Sequence, residues 1–216
     1  MENVTFELLD QHLYGAAFKD YLGLRKRFFV DSLNWGIPHN RAVEMDQYDN
    51  PLARYSLVLQ DGKVVAGMRA LPTTARWGEH SYMLRDAGQG KLSSIPRLMQ
   101  DEISSSKVWE CTRLVIAPEI TEVAARATCL RLVIEGMAKI AADNGAEELI
   151  ALSNLWMQRA LRRLGYDCDL KCAPYTNADD GHKYAVMAMP VDKTLPKLPT
   201  ATHRPQPTPL HAPAMA

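Results

Sequence analysis

The sequence has no apolar run close to the roughly 18 residues that a membrane-spanning helix needs. Residues 1–7 are acidic and lack the apolar core of a signal peptide. The formal net charge is zero, which excludes a nucleic-acid binder that relies on a strong overall positive field. These absences predict a soluble cytoplasmic protein with no membrane span and no nucleic-acid partner.

Cysteine is scarce and shows no metal-binding pattern. The four cysteines are Cys111, Cys129, Cys168 and Cys172, and no C-x-x-C pair occurs among them. Cys168 and Cys172 with His182 would supply only three of the four ligands of a structural zinc site. We therefore expect reduced thiols and no metal site.

The remaining composition is that of a globular domain. A chain of 216 residues with 47% hydrophobic content can bury one sizeable core. Residues 1–190 carry strand and helix patterns without an internal repeat. From Pro190 onward, seven of the 13 prolines fall in 27 residues with few large apolar side chains. Residues 191–216 are therefore predicted to be an extended, weakly ordered tail.

The apolar patterns predict strands that alternate with helices. Strands at 55–60 and 63–71 flank Asp61-Gly62, a dipeptide typical of a β-hairpin turn. Apolar residues recur every three to four positions over 121–144, which predicts a long amphipathic helix. A further helix is predicted at 13–34, turning irregular near its end, and another at 154–164; further strands are predicted at 108–116, 148–153 and 182–189. This alternation favours an α/β fold in which helices cover both faces of a mixed sheet, a three-layer αβα sandwich.

The strand predicted at 108–116 is unusual because two charges, Glu110 and Arg113, interrupt its apolar run. Charges in a buried strand are costly unless they are paired and hydrogen-bonded. Two interpretations stay open from the residues alone: a structural ion-pair network, or a site for a zwitterionic or cationic small molecule. Other charges that belong to the same question are Arg25, Glu44, Asp46, Asp49 and Arg69.

The order and spacing of these residues resemble those of the acyl-homoserine-lactone synthases, the LuxI-type autoinducer synthases. The resemblance covers roughly residues 5–190. The matching segments are Leu24-Arg25-x-x-x-Phe29, Trp35, Glu44-x-Asp46-x-Tyr48-Asp49, Gly67-x-Arg69-x-Leu71-Pro72-Thr73, Tyr82-Met83-Leu84 and Trp109-Glu110-x-Thr112-Arg113.

The resemblance implies a GNAT-like acyltransferase fold and two substrates. The acyl group would come from an acyl carrier protein or acyl-CoA and pass to the amine of S-adenosylmethionine. Lactone closure would then release methylthioadenosine and an N-acyl-homoserine lactone, a quorum-sensing signal. S-adenosylmethionine is a substrate in this reaction, and no cofactor is implied.

The resemblance also implies roles for individual residues. Glu110 is the first candidate for the base that takes a proton from the amine, Glu44 is the second, and Arg113 completes the catalytic set. The other charged residues would orient the amine and the carboxylate, while aromatic rings would face the sulfonium. The implied substrate-binding residues are Arg25, Phe29, Trp35, Asp46, Asp49, Arg69 and Thr112.

The acyl chain is expected in an apolar tunnel between the sheet and the helix of residues 121–144. In the family, a threonine near position 151 or 153 goes with 3-oxo chains, so Ala151 and Ser153 favour an unsubstituted or 3-hydroxy chain. The candidate lining residues are Met137, Ile140, Leu149, Ala151, Ser153 and Leu155.

Glu110 and Arg113 are three residues apart, so a regular strand would point them to opposite faces of the sheet. The implied fold has a β-bulge beside its active site, where freed N–H groups can bind the thioester carbonyl. We predict that bulge at or directly after Glu110.

Two departures from the family pattern bear on function. Gly88 stands where a phenylalanine is common, which changes the shape of the pocket. The Gly-rich pyrophosphate loop of CoA-using acyltransferases is absent around residues 117–126, which favours a carrier-protein donor. Two alternatives stay open: an N-acyltransferase for another small amine, and a non-catalytic relative that binds S-adenosylmethionine or acyl carrier protein.

Overall fold

Eight strands form one mixed sheet within residues 1–177 and 180–195, which are the residues that the computed structural model describes. The order across the sheet is β1-β2-β3-β4-β5-β8-β6, and β7 also pairs with β8. All neighbouring strands are antiparallel except β4 and β5. The strands are β1 Glu2–Glu7, β2 Arg54–Gln60, β3 Lys63–Pro72, β4 Val108–Ile116, β5 Glu148–Asn154, β6 Asp169–Leu170, β7 Tyr175–Thr176 and β8 Lys183–Pro190.

Helices cover both faces of this sheet, as predicted. Helix α3 packs on β1, β2, β3 and β4 from one side, whereas α1 packs on β3 and β4 from the other. The three-layer αβα architecture is therefore confirmed. The helices are α1 Ala17–Arg25, α2 Met83–Gly88, α3 Val123–Asp143, α4 Leu155–Arg163 and α5 Val191–Thr194, with a 3₁₀ helix at Leu8–Tyr14 and a π-helix at Lys26–Ser32.

The single helix predicted over 13–34 is wrong in its continuity. Gly15 has φ 57, which an α-helix does not allow, so the 3₁₀ helix and α1 are separate segments. After α1 the helix widens into a π-helix, in which Leu33 N–H donates to the Phe28 carbonyl at 3.1 Å, five residues back. The widened turn carries Phe29 on the side of the charged residues.

Strand β1 was not predicted because its apolar signal is weak. Phe6 is its only buried residue, so no buried alternation is visible along Glu2–Glu7. Pairing with β2 nevertheless completes this edge of the sheet. Gly136 lets α3 approach β1 closely, because a Cβ there would collide with Asn3 Oδ1 and lie 2.6 Å from Ser56 Oγ.

A β-bulge does interrupt β4, but its predicted position is wrong. Glu110 lies in regular register, opposite Leu71 of β3 and beside Ile150 of β5. The register shifts where Arg69 faces Thr112 and Gly67 faces Val115, so Met68 opposes both Arg113 and Leu114. Arg113 adopts φ 57, and the Tyr21 hydroxyl donates to its carbonyl at 2.8 Å.

The bulge resolves the orientation of the two charges. Thr112 lies on the same face as Glu110, two residues away, and Arg69 lies opposite Thr112. Beyond the bulge, Arg113 reaches the same carboxylate, Asp46, that Arg69 contacts. In a regular strand the side chain of Arg113 would point to the face opposite Glu110. Its left-handed conformation instead places the side chain on the same face as Glu110.

Strands β4 and β5 pair over only three residues each, Val108–Glu110 against Glu148–Ile150. Beyond Glu110, β4 continues its pairing with β3, whereas β5 continues along β8 to Asn154. The two parallel strands therefore separate directly after Glu110.

The predicted boundary of the tail lies one helical turn too early. Residues Val191–Thr194 form α5, and Val191 and Thr194 are buried because α5 packs against α3. The rest of the predicted tail, residues 196–216, lies outside the described residues. No helix in the described part of the chain is both long and apolar enough to cross a membrane.

Candidate active site

A buried ion-pair network joins four parts of the fold on the α1 side of the sheet. Arg25 of α1 binds Asp49 through two nitrogens, at 2.7 and 2.9 Å, and Glu44 through Nε at 2.6 Å. Arg69 of β3 binds Asp46 at 2.6 Å and Asp49 at 2.8 Å. The guanidinium groups of Arg25 and Arg69 are fully buried, so the loop of residues 44–49 is fixed to α1 and β3.

Arg113 of β4 completes the network. Its Nη2 lies 2.8 Å from Asp46 and its Nε 3.4 Å from Glu44. In the described parts of the chain, no hydrogen bond or ion pair engages Nη1 of Arg113, and 10% of its side chain is exposed. Arg69 also donates through Nε to the Thr112 hydroxyl at 3.1 Å. The sequence prediction that these charged residues meet is therefore correct in its geometry.

The network holds Asp46 and Asp49 in the ionised state. Burial alone would raise the pKa of Asp46, but the charges of Arg69 and Arg113 outweigh burial and lower it. Burial acts in the same way on Asp49, whose pKa Arg69 and Arg25 hold well below its ordinary value. Three carboxylates thus balance three guanidinium groups, and the network has no net charge of its own.

Glu110 lies on the same face but has different surroundings. Its two oxygens accept the backbone N–H groups of Met83 at 2.6 Å and Leu84 at 2.9 Å, at the start of α2. Among the described residues, no lysine or arginine forms an ion pair with it. Burial raises the pKa of Glu110 to about 7, although the two N–H groups and the charge of Arg69 partly oppose this rise. A carboxyl group with this pKa can take and give a proton near neutral pH.

Two aromatic side chains border the network. The rings of Phe29 and Trp35 stack with centroids 5.0 Å apart and an interplanar angle of 28°. The guanidinium carbon of Arg113 lies 5.4 Å from the centroid of Phe29. Phe29 is buried and Trp35 is half-buried. Phe29 therefore packs against Arg113, while Trp35 is partly exposed to solvent.

Three tyrosines support the site although the sequence suggested no role for them, and one of the three, Tyr48, stands in a matching segment. Tyr55 donates to Asp49 at 2.8 Å, and the ring of Tyr48 lies 5.6 Å from the guanidinium carbon of Arg69. Tyr21 fixes the bulge, and its ring fills the space above Gly67, where a Cβ would come within 2.9 Å of it. Gly67 was the available sequence signal, since it falls inside the quoted segment with Arg69.

The candidate acyl-chain residues lie on the opposite, α3 side of the sheet. Met137 and Leu149 are fully enclosed in the core there. Ile140, Ala151 and Leu155 pack against that core and are partly buried. Ser153 is two residues after Ala151 on β5 and therefore lies on the same face of the strand. Leu149 and Ala151 flank Ile150, the residue of β5 at which the pairing with β4 ends.

Gly88 borders a different opening. A pocket of about 80 Å³ lies between α2 and residues 97–102, with Tyr82, Leu84 and Gly88 in its wall. A Cβ at Gly88 would meet only Arg97 Cγ, at 3.9 Å. The position therefore has room for a side chain.

Comparisons with known proteins agree with this geometry. A family model described as autoinducer synthase matches residues 10–196. The acyl-homoserine-lactone synthase of Aeromonas salmonicida is 31% identical over 163 residues, which cover 73% of this chain and 72% of the relative. The chain belongs to the autoinducer synthase family. This membership confirms the resemblance that the charged and aromatic segments indicated.

Solved structures show the same fold for this autoinducer synthase. TofI, in a ternary complex with an inhibitor and MTA, aligns with a TM-score of 0.69 and 26% identity, covering 88% of this chain and 92% of TofI. BjaI, described as a CoA-dependent acyl-homoserine lactone synthase with SAM and isopentyl-CoA, aligns with a TM-score of 0.68 and 19% identity, covering 88% and 84%.

Proposed function

We propose that this chain makes N-acyl-homoserine lactones from S-adenosylmethionine and an acyl thioester. The observation that carries the proposal is the contrast inside one site: a charge-balanced network beside a buried carboxyl group whose pKa lies near 7. The substrate brings an ammonium, a sulfonium and a carboxylate, so its net charge is positive. Ionised Glu110 balances that charge, because the arginines and acids of the network already balance one another.

The first chemical step is acyl transfer to nitrogen. Glu110, directly or through one water, takes a proton from the ammonium group, and the free amine attacks the thioester carbonyl carbon. A C–N bond forms, the C–S bond breaks, and the thiol leaves with a second proton from the nitrogen. One proton per turnover therefore passes from Glu110 to solvent. Glu44 is a weaker candidate for the base, because it is held in contact with Arg25 and Arg113.

The second step closes the lactone. The substrate carboxylate attacks the γ-carbon beside the sulfonium, the C–S bond breaks, and methylthioadenosine leaves. This step needs mainly correct placement of the carboxylate. Nη1 of Arg113 is the donor that we assign to it, since the other guanidinium nitrogens of the network already bind protein carboxylates or, in the case of Arg69 Nε, the Thr112 hydroxyl.

Placement of the sulfonium follows from the aromatic pair. The stacked rings of Phe29 and Trp35 lie beside Arg113, and an aromatic face attracts a sulfonium as it attracts other cations. Asp46 and Asp49 then act by fixing Arg69 and Arg113 rather than by contacting the amine themselves. This role is one part of the sequence-based hypothesis, in which both acids orient or charge-balance the amine and the arginines.

The acyl chain would pass from this site through the separation of β4 and β5 to the α3 side. Met137, Met157 and Met187 lie in or against that core, and flexible methionine side chains repack at low cost around a guest chain. The segment 117–126 has no glycine, so the donor we favour is an acyl carrier protein rather than CoA. A cytoplasmic location belongs to the same proposal.

The decisive experiment incubates the purified protein with S-adenosylmethionine and matched sets of acyl-carrier-protein and acyl-CoA thioesters. Mass spectrometry should detect methylthioadenosine and an acyl lactone in equal amounts. An acyl amine without methylthioadenosine would instead indicate an N-acyltransferase for another amine. Binding without turnover of any thioester would indicate a non-catalytic relative.

A further inference from the structure

Asp86 is a buried carboxylate that the proposed mechanism does not use. It lies in α2 and is fully buried. Its Oδ2 accepts the Tyr48 hydroxyl at 3.0 Å and lies 2.9 Å from His80 Nδ1, and the backbone N–H of Ser81 donates to the same carboxylate at 3.2 Å. Lys91 Nζ lies 3.7 Å from Oδ1. These contacts connect α2 with Tyr48 and with His80 and Ser81, which precede α2 in the chain.

The connection joins the two halves of the site. Tyr48 belongs to the loop of residues 44–49, and its ring lies against Arg69. Ser81 directly precedes the turn of α2 whose N–H groups, at Met83 and Leu84, hold Glu110. Asp86 therefore lies between the loop that holds the arginines and the backbone that holds Glu110.

We propose that Asp86 is a positioning residue for the synthase reaction: it fixes the start of α2, and with it Glu110, relative to the loop of residues 44–49. The inference rests on the proposed role of Glu110 as the base. Asp86 positions these elements through its hydrogen bonds with Tyr48 and Ser81. Its negative charge also acts on the carboxyl group of Glu110, which is buried near it.

The charge effect has a defined direction. Burial is the largest cause of the raised pKa of Glu110, and the negative charge of Asp86 adds to it, while the N–H groups of Leu84 and Met83 and the charge of Arg69 act against it. Glu110 also interacts with Tyr48 and Tyr82, whose own pKa values it raises. Removal of the Asp86 charge should therefore lower the pKa of Glu110, with the tyrosines uncharged throughout the range of interest.

Asp86→Asn tests the proposal, because the amide oxygen still accepts from Tyr48 and Ser81 while the charge is lost. We expect the acid limb of kcat/KM against pH to move to lower pH by at least about half a unit. Selective ¹³C labelling of glutamate carboxyl groups, with Glu110→Gln to assign the signal, should show the same shift in the Glu110 titration without any turnover. Tyr48→Phe keeps the charge and cuts the link to the loop, so KM for S-adenosylmethionine should rise about fivefold with a smaller shift.

Two matched controls separate positioning from general destabilisation. Ser81→Ala removes a buried hydroxyl that has no hydrogen-bond partner in the described part of the chain, and it leaves the backbone N–H in place. Tyr166→Phe removes a comparable hydrogen bond, at 3.0 Å to Glu135 of α3, far along the chain from the site. Neither should move the acid limb or the Glu110 titration.

An unshifted Glu110 titration in folded Asp86→Asn would overturn the inference, whatever the activity of that variant. Wild-type turnover and an unchanged acid limb in Glu110→Gln would instead remove Glu110 as the base, which is a failure of the proposed function. In that case the carboxyl titration still decides whether Asp86 controls Glu110.

Discussion

Two sets of buried carboxylates lie on the same face of the sheet and differ in what surrounds them. Glu44, Asp46 and Asp49 contact arginine side chains at close range, whereas within residues 1–177 and 180–195 Glu110 accepts only backbone N–H groups. The arginines lower the pKa of Asp46 and Asp49, and burial raises the pKa of Glu110 to about 7. Acids whose surroundings separate their pKa values in this way take different roles in a reaction.

The difference teaches that the network and the carboxyl group of Glu110 are separate parts of this face of the sheet. Asp46 and Asp49 have lowered pKa values and do not exchange a proton near neutral pH, so we interpret the network as a structural frame. Glu110 has a matched pKa but makes no ion pair among the described residues, so it contributes little to the frame. The ion-pair network, one of the two interpretations that the sequence left open, is therefore present, and the small-molecule site beside it is the proposal.

The sharpest way to test this division is Glu110→Gln. The amide keeps one acceptor oxygen for the start of α2 but cannot take a proton. Methylthioadenosine production should fall by roughly 10² to 10⁴-fold, the usual contribution of general base catalysis. Mass spectrometry of the product and a thermal melt should show lost turnover in a folded protein. Glu102→Gln, at an exposed pair with Arg85, is the control and should keep wild-type activity.

Arg69→Met tests the other side of the division. Loss of this guanidinium leaves Asp46 and Asp49 buried without one of their shared partners. Breaking a buried ion pair from one side costs about 3 to 5 kcal/mol of unfolding free energy, which denaturant unfolding followed by circular dichroism measures. The equivalent change at a surface pair, Arg85→Met, should cost less than about 1 kcal/mol. Equal losses in the two variants would contradict a structural frame.

The pH dependence of stability should separate the two sets within one protein. Asp46 and Asp49 have lowered pKa values, so their contribution is complete above the ordinary carboxyl range and is lost as the pH falls below it. Glu110 acts in the opposite sense, because its pKa is about 7 when folded against 4.5 when unfolded. The folded chain binds more protons in that window, so its free energy of unfolding should fall by about 3 kcal/mol from pH 4.5 to 7.

Urea unfolding at a series of pH values measures this slope, and Glu110→Gln is the control for it. The variant should lose the decline between pH 4.5 and 7 and keep the loss of stability in acid. A wild-type slope retained in the variant would mean that another group is responsible.

Much of the site could be predicted from the sequence because charges in apolar surroundings demand partners. Glu110 and Arg113 interrupt an apolar run, and the spacing of Arg25, Glu44 and Arg69 matched one family. The sheet and the long helix α3 followed from apolar periodicity in the same way. These features depend on residue type and order, both of which the sequence states directly.

Other features depend on contacts that leave no local signal. The bulge falls at Arg113, a residue type that rarely takes positive φ, because Tyr21 binds its carbonyl from α1. The partners of Glu110 are backbone N–H groups, which every residue but proline has. The side-chain types in the sequence therefore could not predict which residues bind Glu110. Asp86 lies in a short helix, and nothing in its sequence neighbours indicated that its carboxylate would be buried.

The smallest predicted effect concerns the contact between the frame and β4. Arg69 Nε donates to the Thr112 hydroxyl at 3.1 Å, in the strand position two residues from Glu110. Thr112→Val removes the acceptor at nearly constant volume and leaves a buried N–H without a partner, so stability should fall by about 1 kcal/mol. Thr112→Ser keeps the hydroxyl, and denaturant unfolding should place it within about 0.5 kcal/mol of wild type. If both variants lose stability equally, the methyl group packs there and the hydroxyl does not matter; if only valine does, the frame extends through Thr112 to the strand that carries the base.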